Sequence, residues 1–359
     1  MRLVVLAAML ALAAAPAGAV PPPAGSSGFD GAGPYRLYDD WLVVCDNVAT
    51  CMAASAETEG RAVLRIARTG DWDALPDPLA DLSSAGFDGN AVILVLQPQG
   101  SLPHATPGRR ARTRLTMHRL AAGWFGMGDV EIAAFLAAAR TADSARFETP
   151  DGRVLAQVSL RGLVAAMDRI DHVQTRTGTI TATYNRGGIL VPLAAIMPPP
   201  APVVEPVEGV PDRQARALQT RAFLMICGTG LARSPGDAVA WRMASGHHIV
   251  AVDCRIGGLN GGRIWLVEDP AGALDLARLP VPDLPGAQDL TGFLANSWFD
   301  HITGRLHALE LGRPAGDCGS RLSWQWTTGG FRLAEAQRMP LCTGIAQALW
   351  PGTWSTRLP

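Results

Sequence analysis

This chain contains no lysine. All 31 of its cationic residues are arginine, set against 32 Asp and Glu, so the net charge over 359 residues is −1. A phosphate-loop lysine, a Schiff-base lysine and a lysine general base are excluded by that absence. So is the S-x-x-K hydrolase motif, and neither G-x-S-x-G nor H-E-x-x-H occurs. The near-neutral balance gives no electrostatic footprint for nucleic acid. Aromatic residues are scarce at 6%, and charged residues stand at only 18%. With 48% hydrophobic residues the chain can nevertheless bury a large core, which excludes global disorder. Its length suffices for about two domains.

The first residues read as an export signal. Arg2 is the lone charge ahead of the apolar run Leu3 to Ala15, and Ala17-Gly18-Ala19 supplies small residues for cleavage near Ala19. Thirteen apolar residues are too few to cross a bilayer, which needs around 20. No later apolar run reaches 18, so the sequence predicts no transmembrane anchor. Residues 1–19 are thus read as a signal peptide and 20–34 as a flexible Pro/Gly/Ser leader, with the mature protein periplasmic or secreted.

Six cysteines follow: Cys45, Cys51, Cys227, Cys254, Cys318 and Cys342. An even count in an oxidising compartment favours disulfides, with 15 connectivities open. Proximity favours Cys45–Cys51, Cys227–Cys254 and Cys318–Cys342. Each of the two longer loops would contribute roughly 3 kcal/mol if closed without strain. There is no Cys-x-x-Cys and no His at metal-finger spacing, so nothing implies a metal or another cofactor.

Six prolines between Met197 and Ala217 forbid a regular helix or central strand. They mark a stiff Pro-rich linker over 198–212 between a first half, 35–197, and a second, 213–359. In the first half, Trp41 to Cys45, Ala62 to Arg68, Ala91 to Gln97, Val154 to Leu160 and Thr179 to Tyr184 read as strands. Asp129 is placed to cap a helix to about Arg140, with Val130, Ala133, Ala134 and Ala137 on one face. Leu163, Ala166, Met167 and Ile170 mark a second helix at i, i+3, i+4, i+7. The second half reads as strand–glycine turn–strand units around 257–262, 303–304 and 327–330. The expected fold is β-rich α+β: an N-terminal β-sandwich-like domain with two helices, then a mainly-β C-terminal domain built of hairpins.

Candidate chemistry is sparse. Asp300, His301 and His307 share one predicted hairpin and could form a two-His, one-carboxylate site; the plainer reading is a polar hairpin face. Arg169, His172 and Arg176 end the second helix. They suit its macrodipole, or they form an anion- or partner-binding patch. Trp324, Trp326, Trp350 and Trp354 cluster near the C-terminus; exposed, they could stack on sugar rings or peptides, and buried, the default reading, they are hairpin core. Gly126-Met127-Gly128 and Gly228-Thr229-Gly230 are incomplete phosphate-loop fragments and read as turns.

Several stretches together resemble an exported proteobacterial family catalogued as a domain of unknown function. They are Asp40-Trp41-Leu42-Val43-Val44-Cys45-Asp46-Asn47 with Cys51 and Ala53, and Ser159-Leu160 and Gly162 through Asp168-Arg169-Ile170-Asp171 to Gln174, Arg176 and Gly178-Thr179. Further on come Gly316-Asp317-Cys318-Gly319, Trp324 and Trp326 with Phe331 and Leu333, and Met339-Pro340-Leu341-Cys342 with Gly344. That resemblance brings no activity, cofactor or catalytic residue. The first half also resembles, more distantly, the invasion-associated locus B proteins, small exported β-rich proteins linked to host-cell entry. The leading expectation is therefore a periplasmic or secreted, non-enzymatic binding protein. Its partner would be an envelope component, another exported protein or a host surface. The alternative is an envelope hydrolase with a non-local His/Asp site at Asp300, His301 and His307, and a third reading is a purely structural module.

Overall fold

A computed structural model describes residues 34–56, 62–98, 112–190, 199–208, 217–218, 220–222, 225, 238–254 and 258–356. The signal peptide, nearly all of the leader and Cys227 lie outside the described residues.

The first half forms one ten-stranded antiparallel sheet. Its strands are β1 (Tyr35–Tyr38), β2 (Trp41–Cys45), β3 (Cys51–Ser55), β4 (Val63–Arg68), β5 (Asp77–Asp81), β6 (Ala91–Pro98), β7 (Thr113–Ala121), β8 (Trp124–Gly126), β9 (Ala142–Glu148) and β10 (Val154–Ser159). They run in the order β1-β2-β3-β4-β5-β8-β7-β6-β9-β10. The two ends of this sheet meet. Trp41 on β2 donates its indole N–H to the Ser159 carbonyl on β10 at 3.1 Å, and Ser159 Oγ donates to Asp40 Oδ2 at 2.6 Å. Arg161 Nε closes the same contact on Asp40 at 3.0 Å. Gly162 permits it, because its φ is +87° and a Cβ there would stand 2.0 Å from the Tyr38 carbonyl oxygen.

Helix α1 (Asp129–Ala139) and helix α2 (Leu163–Val173) complete the half. In α2 the expected stripe Leu163, Ala166, Met167, Ile170 is buried. In α1 the expected face is corrected. Phe135 and Ala139 are the buried residues and Val130 is exposed, because one large aromatic ring outweighs a set of alanines in choosing the inner face. The cap is also shifted by one, since Gly128 and not Asp129 holds the N-cap position. Thr179 to Tyr184 is not a strand. It is a series of turns with a single bridge, Thr179 to Ile189. Its polar groups serve buried charges instead. The Thr181 carbonyl accepts from Arg68 Nη2 at 2.7 Å, and Thr183 N–H donates to Asp171 Oδ2 at 2.6 Å.

The second half holds two main sheets. One contains β11 (Val207–Glu208), β12 (Ala238–Met243), β13 (His248–Cys254), β14 (Gly262–Glu268) and β15 (Leu274–Leu276). A short pair, β16 (Arg278–Leu279) with β17 (Leu290–Thr291), follows, and β18 (Phe293–Ala295) adds to β14. The other main sheet runs β19 (Trp298–Asp300), β20 (Arg305–Leu311), β21 (Gly319–Thr327), β22 (Gly330–Met339) and β23 (Gly352–Trp354) in that order. Ile249, Ala251 and Trp265 from the first sheet share a core with Leu306, Leu322, Trp324, Trp326 and Leu333 from the second. The described part of the proline segment belongs to this half. β11 pairs with β12, and Glu205 accepts from Trp326 Nε1 at 2.8 Å.

Both faces of β2 and β3 are buried, which explains their unbroken apolar runs. Trp41, Val43, Cys51 and Ala53 face the core of the first half, as the period of two requires. Leu42, Val44, Met52 and Ala54 face the other way, onto Met339, Ile345 and Trp350. The two halves thus share an apolar seam. Asn47 fastens its edge, donating to the Ser355 carbonyl at 3.0 Å and accepting from Ser355 N–H at 2.8 Å. Cys45 is bonded to Cys51, and Cys318 to Cys342. No helix among the described residues is long and apolar enough to cross a membrane.

Candidate functional site

Alternation along β20, β21 and β22 builds a polar face. Leu306, Ala308, Leu322, Trp324, Leu333 and Ala336 enter the core of the second half. His307, Arg321, Ser323, Glu335 and Gln337 therefore face the opposite side. Register aligns them: His307 lies opposite Ser323, Ser323 opposite Glu335, and Arg321 opposite Gln337. Side chains so paired stand about 5 Å apart at Cβ. A bulge follows Ser323, where Trp324 pairs with Leu333 and skips a residue. Two further elements wall the face into a cleft of about 360 Å³. They are the turn at Asp46 from the first half and the terminal segment Gly352, Trp354, Ser355 and Thr356. The Asn47–Ser355 pair holds these walls together.

Several polar groups in this cleft lack partners. Ser323 is only 5% exposed, and its Oγ makes no hydrogen bond. Trp354 Nε1 is buried and equally unpartnered. Arg321 and Gln337 form no side-chain hydrogen bond or ion pair among the described residues. Both carboxylates, by contrast, are engaged. Asp46 Oδ1 accepts from Val48 N–H at 2.9 Å and Thr50 N–H at 2.8 Å. Burial pushes the Asp46 carboxyl above its ordinary pKa, opposed by those bonds and one from the Ser355 side chain. Glu335 pairs with Arg305 at 3.3 Å. His307 stacks on Trp298 with ring centroids 4.9 Å apart. Burial, and then the Arg305 charge, lower its pKa, so the imidazole is neutral at pH 7.

The hydrogen bond of a nucleophilic Ser–His pair is not formed among the described residues of the cleft. A serine nucleophile needs a histidine hydrogen-bonded to it and oriented by a third group. Here Ser323 stands between His307 and Glu335, and its Oγ bonds neither.

The expected hairpin trio does not converge. Asp300 accepts from Ile302 N–H at 2.9 Å and Thr303 Oγ1 at 2.6 Å, so its carboxylate caps its own turn. The Thr303 bond holds it below the usual carboxylate range. His301 is exposed on that turn, and His307 alone reaches the cleft. Asp317, Cys318 and Cys342 do come close together, but the two sulfurs are joined to each other and Arg313 holds Asp317. The expected patch at Arg169, His172 and Arg176 is also divided. His172 is exposed and Arg169 half-buried, whereas Arg176 is 1% exposed. Its guanidinium donates to Gln174 Oε1 at 3.1 Å, to the Trp72 carbonyl at 2.7 Å and to the Asp71 carbonyl. Lone backbone acceptors drew it inward. Trp324 and Trp326 are buried in the second-half core, Trp350 is buried in the seam, and Trp354 is half-buried, packing against the second-half core while its segment borders the cleft. The pairing of Cys227 with Cys254 lies outside the described residues.

No motif singles out Arg321, Ser323 or Gln337, and Asp46 and Trp354 stand out only within the family-like opening and the tryptophan cluster. The alternation in R-L-S-W-Q-W-T over 321–327 does mark a polar strand face. Nothing local marks the roof that the distant Asp46 turn places over it.

Residues 35–357 match the family described as "Protein of unknown function (DUF1176)". The chain belongs to that family. Its matched span includes both halves and every cleft residue. The chain is 28% identical over 346 residues to "Uncharacterized protein YpfG" of Escherichia coli (strain K12), covering 90% of this chain and 93% of that protein. Among solved structures, invasion associated protein B from Bartonella henselae aligns with a TM-score of 0.29 at 13% identity. That alignment covers 39% of this chain and 98% of the other, a likeness too slight to bear on function.

Proposed function

We propose that this member of the DUF1176 family is an exported, non-enzymatic binding protein of the bacterial envelope whose ligand site is the cleft between its halves. The observation that carries this reading is the set of polar groups left without partners there, above all the buried Ser323 hydroxyl. Buried polar atoms in folded proteins are nearly always paired, and leaving one unpaired costs about 1–3 kcal/mol. A ligand that pairs them recovers that cost. The cleft volume lies within the roughly 300–1,000 Å³ of small-molecule sites. Two disulfides and the N-terminal signal pattern suit a periplasmic or secreted setting.

Two measurements test the proposal. Mass spectrometry of the chain from its own envelope fraction is expected to find a start at Val20; an intact Met1 on a cytosolic chain overturns export. Thermal unfolding against fractionated small molecules from envelope extract is expected to show a saturable rise with at least one fraction. No rise with any fraction overturns binding in the cleft.

A further inference from the structure

We infer that the Cys318–Cys342 disulfide is a redox latch on the seam between the halves: reduced by a dithiol, it frees residues 340–350 and opens the seam and the cleft beside it. The inference rests on the contacts of the seam and not on what the cleft binds. Residues 340–350 join β22 to β23 and belong to no strand; one 3-10 turn at Gln347–Leu349 is their only regular structure. They nevertheless carry much of what the second half presents to the first. Ile345 and Trp350 are buried in the seam with the outer faces of β2 and β3 and with Val63 of β4, and Leu341 and Leu349 pack beside them. At Gly344 the chain runs so close to β4 that a Cβ would stand 3.6 Å from Val63 Cγ2.

No strand ladder fixes this segment, so its own half holds it at the two ends. At the start, Cys342 is bonded to Cys318, 24 positions earlier at the head of β21. Beside that bridge Gly344 N–H donates to Asp317 Oδ2 at 2.7 Å, and Arg313 Nη2 donates to the Cys342 carbonyl at 3.2 Å. Arg313 is half exposed, so water competes for its bonds, and the covalent link is the strong member of the set. At the far end the segment becomes β23 and then Ser355, which borders the cleft and holds Asn47 of the first half. β23 meets β22 only across a bulge, at Ala336 with Trp354 and Gln337 with Gly352. The bridge therefore sets where Ile345, Trp350 and that wall of the cleft lie.

The two described bridges also differ in access. Cys342 is exposed, whereas Cys318 and Cys51 are 2% and 1% exposed and Cys45 is half-buried on the first-half core. Cys45 and Cys51 also face each other across the β2–β3 ladder, which keeps them in register with or without their bond. Thiol–disulfide exchange follows access. A thiolate of the dithiol attacks the Cys342 sulfur and forms a mixed disulfide, and Cys318 leaves as a thiolate and takes a proton. The second thiol of the reductant then attacks its own sulfur in that mixed disulfide, and Cys342 leaves and is protonated. The dithiol ends as a disulfide, and two electrons and two protons have passed to the protein.

The test uses the whole mature chain. Dithiothreitol is added in steps, free thiols are trapped with iodoacetamide, and a peptide map reads each cysteine separately. Amide hydrogen exchange is followed on the reduced protein and on the double variant Cys318→Ser, Cys342→Ser. Cys318 and Cys342 are expected to be trapped roughly tenfold faster or more than Cys45 and Cys51. With the bridge open, by either route, amides of residues 341–355 and of the turn at Asp46–Thr50 are expected to exchange roughly tenfold faster or more, while those of α2 are unchanged. Unchanged exchange at the seam overturns the latch, and so does trapping of Cys45 and Cys51 first. Faster exchange throughout, α2 included, shows a staple of the whole fold and overturns it equally. Should the double variant fail to fold, the reduced wild type decides alone. Each of these outcomes leaves the binding reading of the closed cleft to its own test.

Discussion

Two clusters of buried polar side chains are treated in opposite ways, within a fold whose first half also leaves Arg65 Nε, Arg146 Nε and Tyr184 OH without a partner among the described residues. In the first half, Arg68 and Asp171 are 2% and 1% exposed and touch at 2.7 Å. Arg68 also donates to the Ala74 carbonyl at 2.9 Å and to Thr183 Oγ1 at 3.3 Å. Gln174 donates its amide to the carbonyls of Ala49, Arg68 and Thr69, and Arg176 is held by the Asp71 and Trp72 carbonyls. Burial, then the neighbouring Arg176, lower the Arg68 pKa to about 10, still far above neutrality, so the ion pair persists. In the second half, Ser323 and Trp354 bury polar atoms that touch no partner. A network in which nearly every donor is paired ties strands, helix and turns into one fold. A cluster left unpaired contributes nothing to folding.

That contrast predicts a ladder of effects. Asp171→Ala strands the buried Arg68 guanidinium and is expected to cost about 3–5 kcal/mol in urea unfolding. A loss under 1 kcal/mol would mean that the network is not structural. Met339→Ala opens a hole in the seam and is expected to cost roughly 2–5 kcal/mol, while also loosening the Asp46 wall of the cleft. Retention of full stability would show that the halves do not rely on each other. Asp317 gives a smaller, pH-dependent term. Its bond from Arg313 lowers its pKa below the ordinary carboxylate value, so the contribution is present above about pH 4 and is lost as pH falls through the lower folded value. Because Arg313 is half exposed, this term should stay under about 1 kcal/mol, and Asp317→Asn should flatten that part of the acid unfolding curve. Arg321→Gln, at an exposed position on the cleft, should leave stability within about 0.5 kcal/mol.

Much of the paired region was legible in the sequence, and little of the unpaired one. The apolar run Trp41–Cys45 is strand β2, and the Leu163–Ile170 stripe is the inner face of α2, because both obey a local period. Gly-rich turns located the second-half hairpins for the same reason. The stretch at Thr179–Tyr184 misled, since its β-branched residues are employed as acceptors and spacers for Arg68, more than a hundred positions away, and for the neighbouring Arg176. The cleft escaped notice because it exists only where Asn47 meets Ser355, 308 positions later. His307 was singled out from the sequence, but with Asp300 and His301 as partners; register placed Ser323 beside it instead.

The sharpest test is the unfolding free energy of Ser323→Ala beside the wild type. If Ser323 is unpaired in the free protein, removing its hydroxyl forfeits no hydrogen bond and relieves a buried polar group. Stability should then be unchanged or raised by up to about 1 kcal/mol, with ligand response diminished. A loss of about 2 kcal/mol or more would show that Ser323 is a structural partner and that the cleft, like the Arg68–Asp171 network, serves the fold.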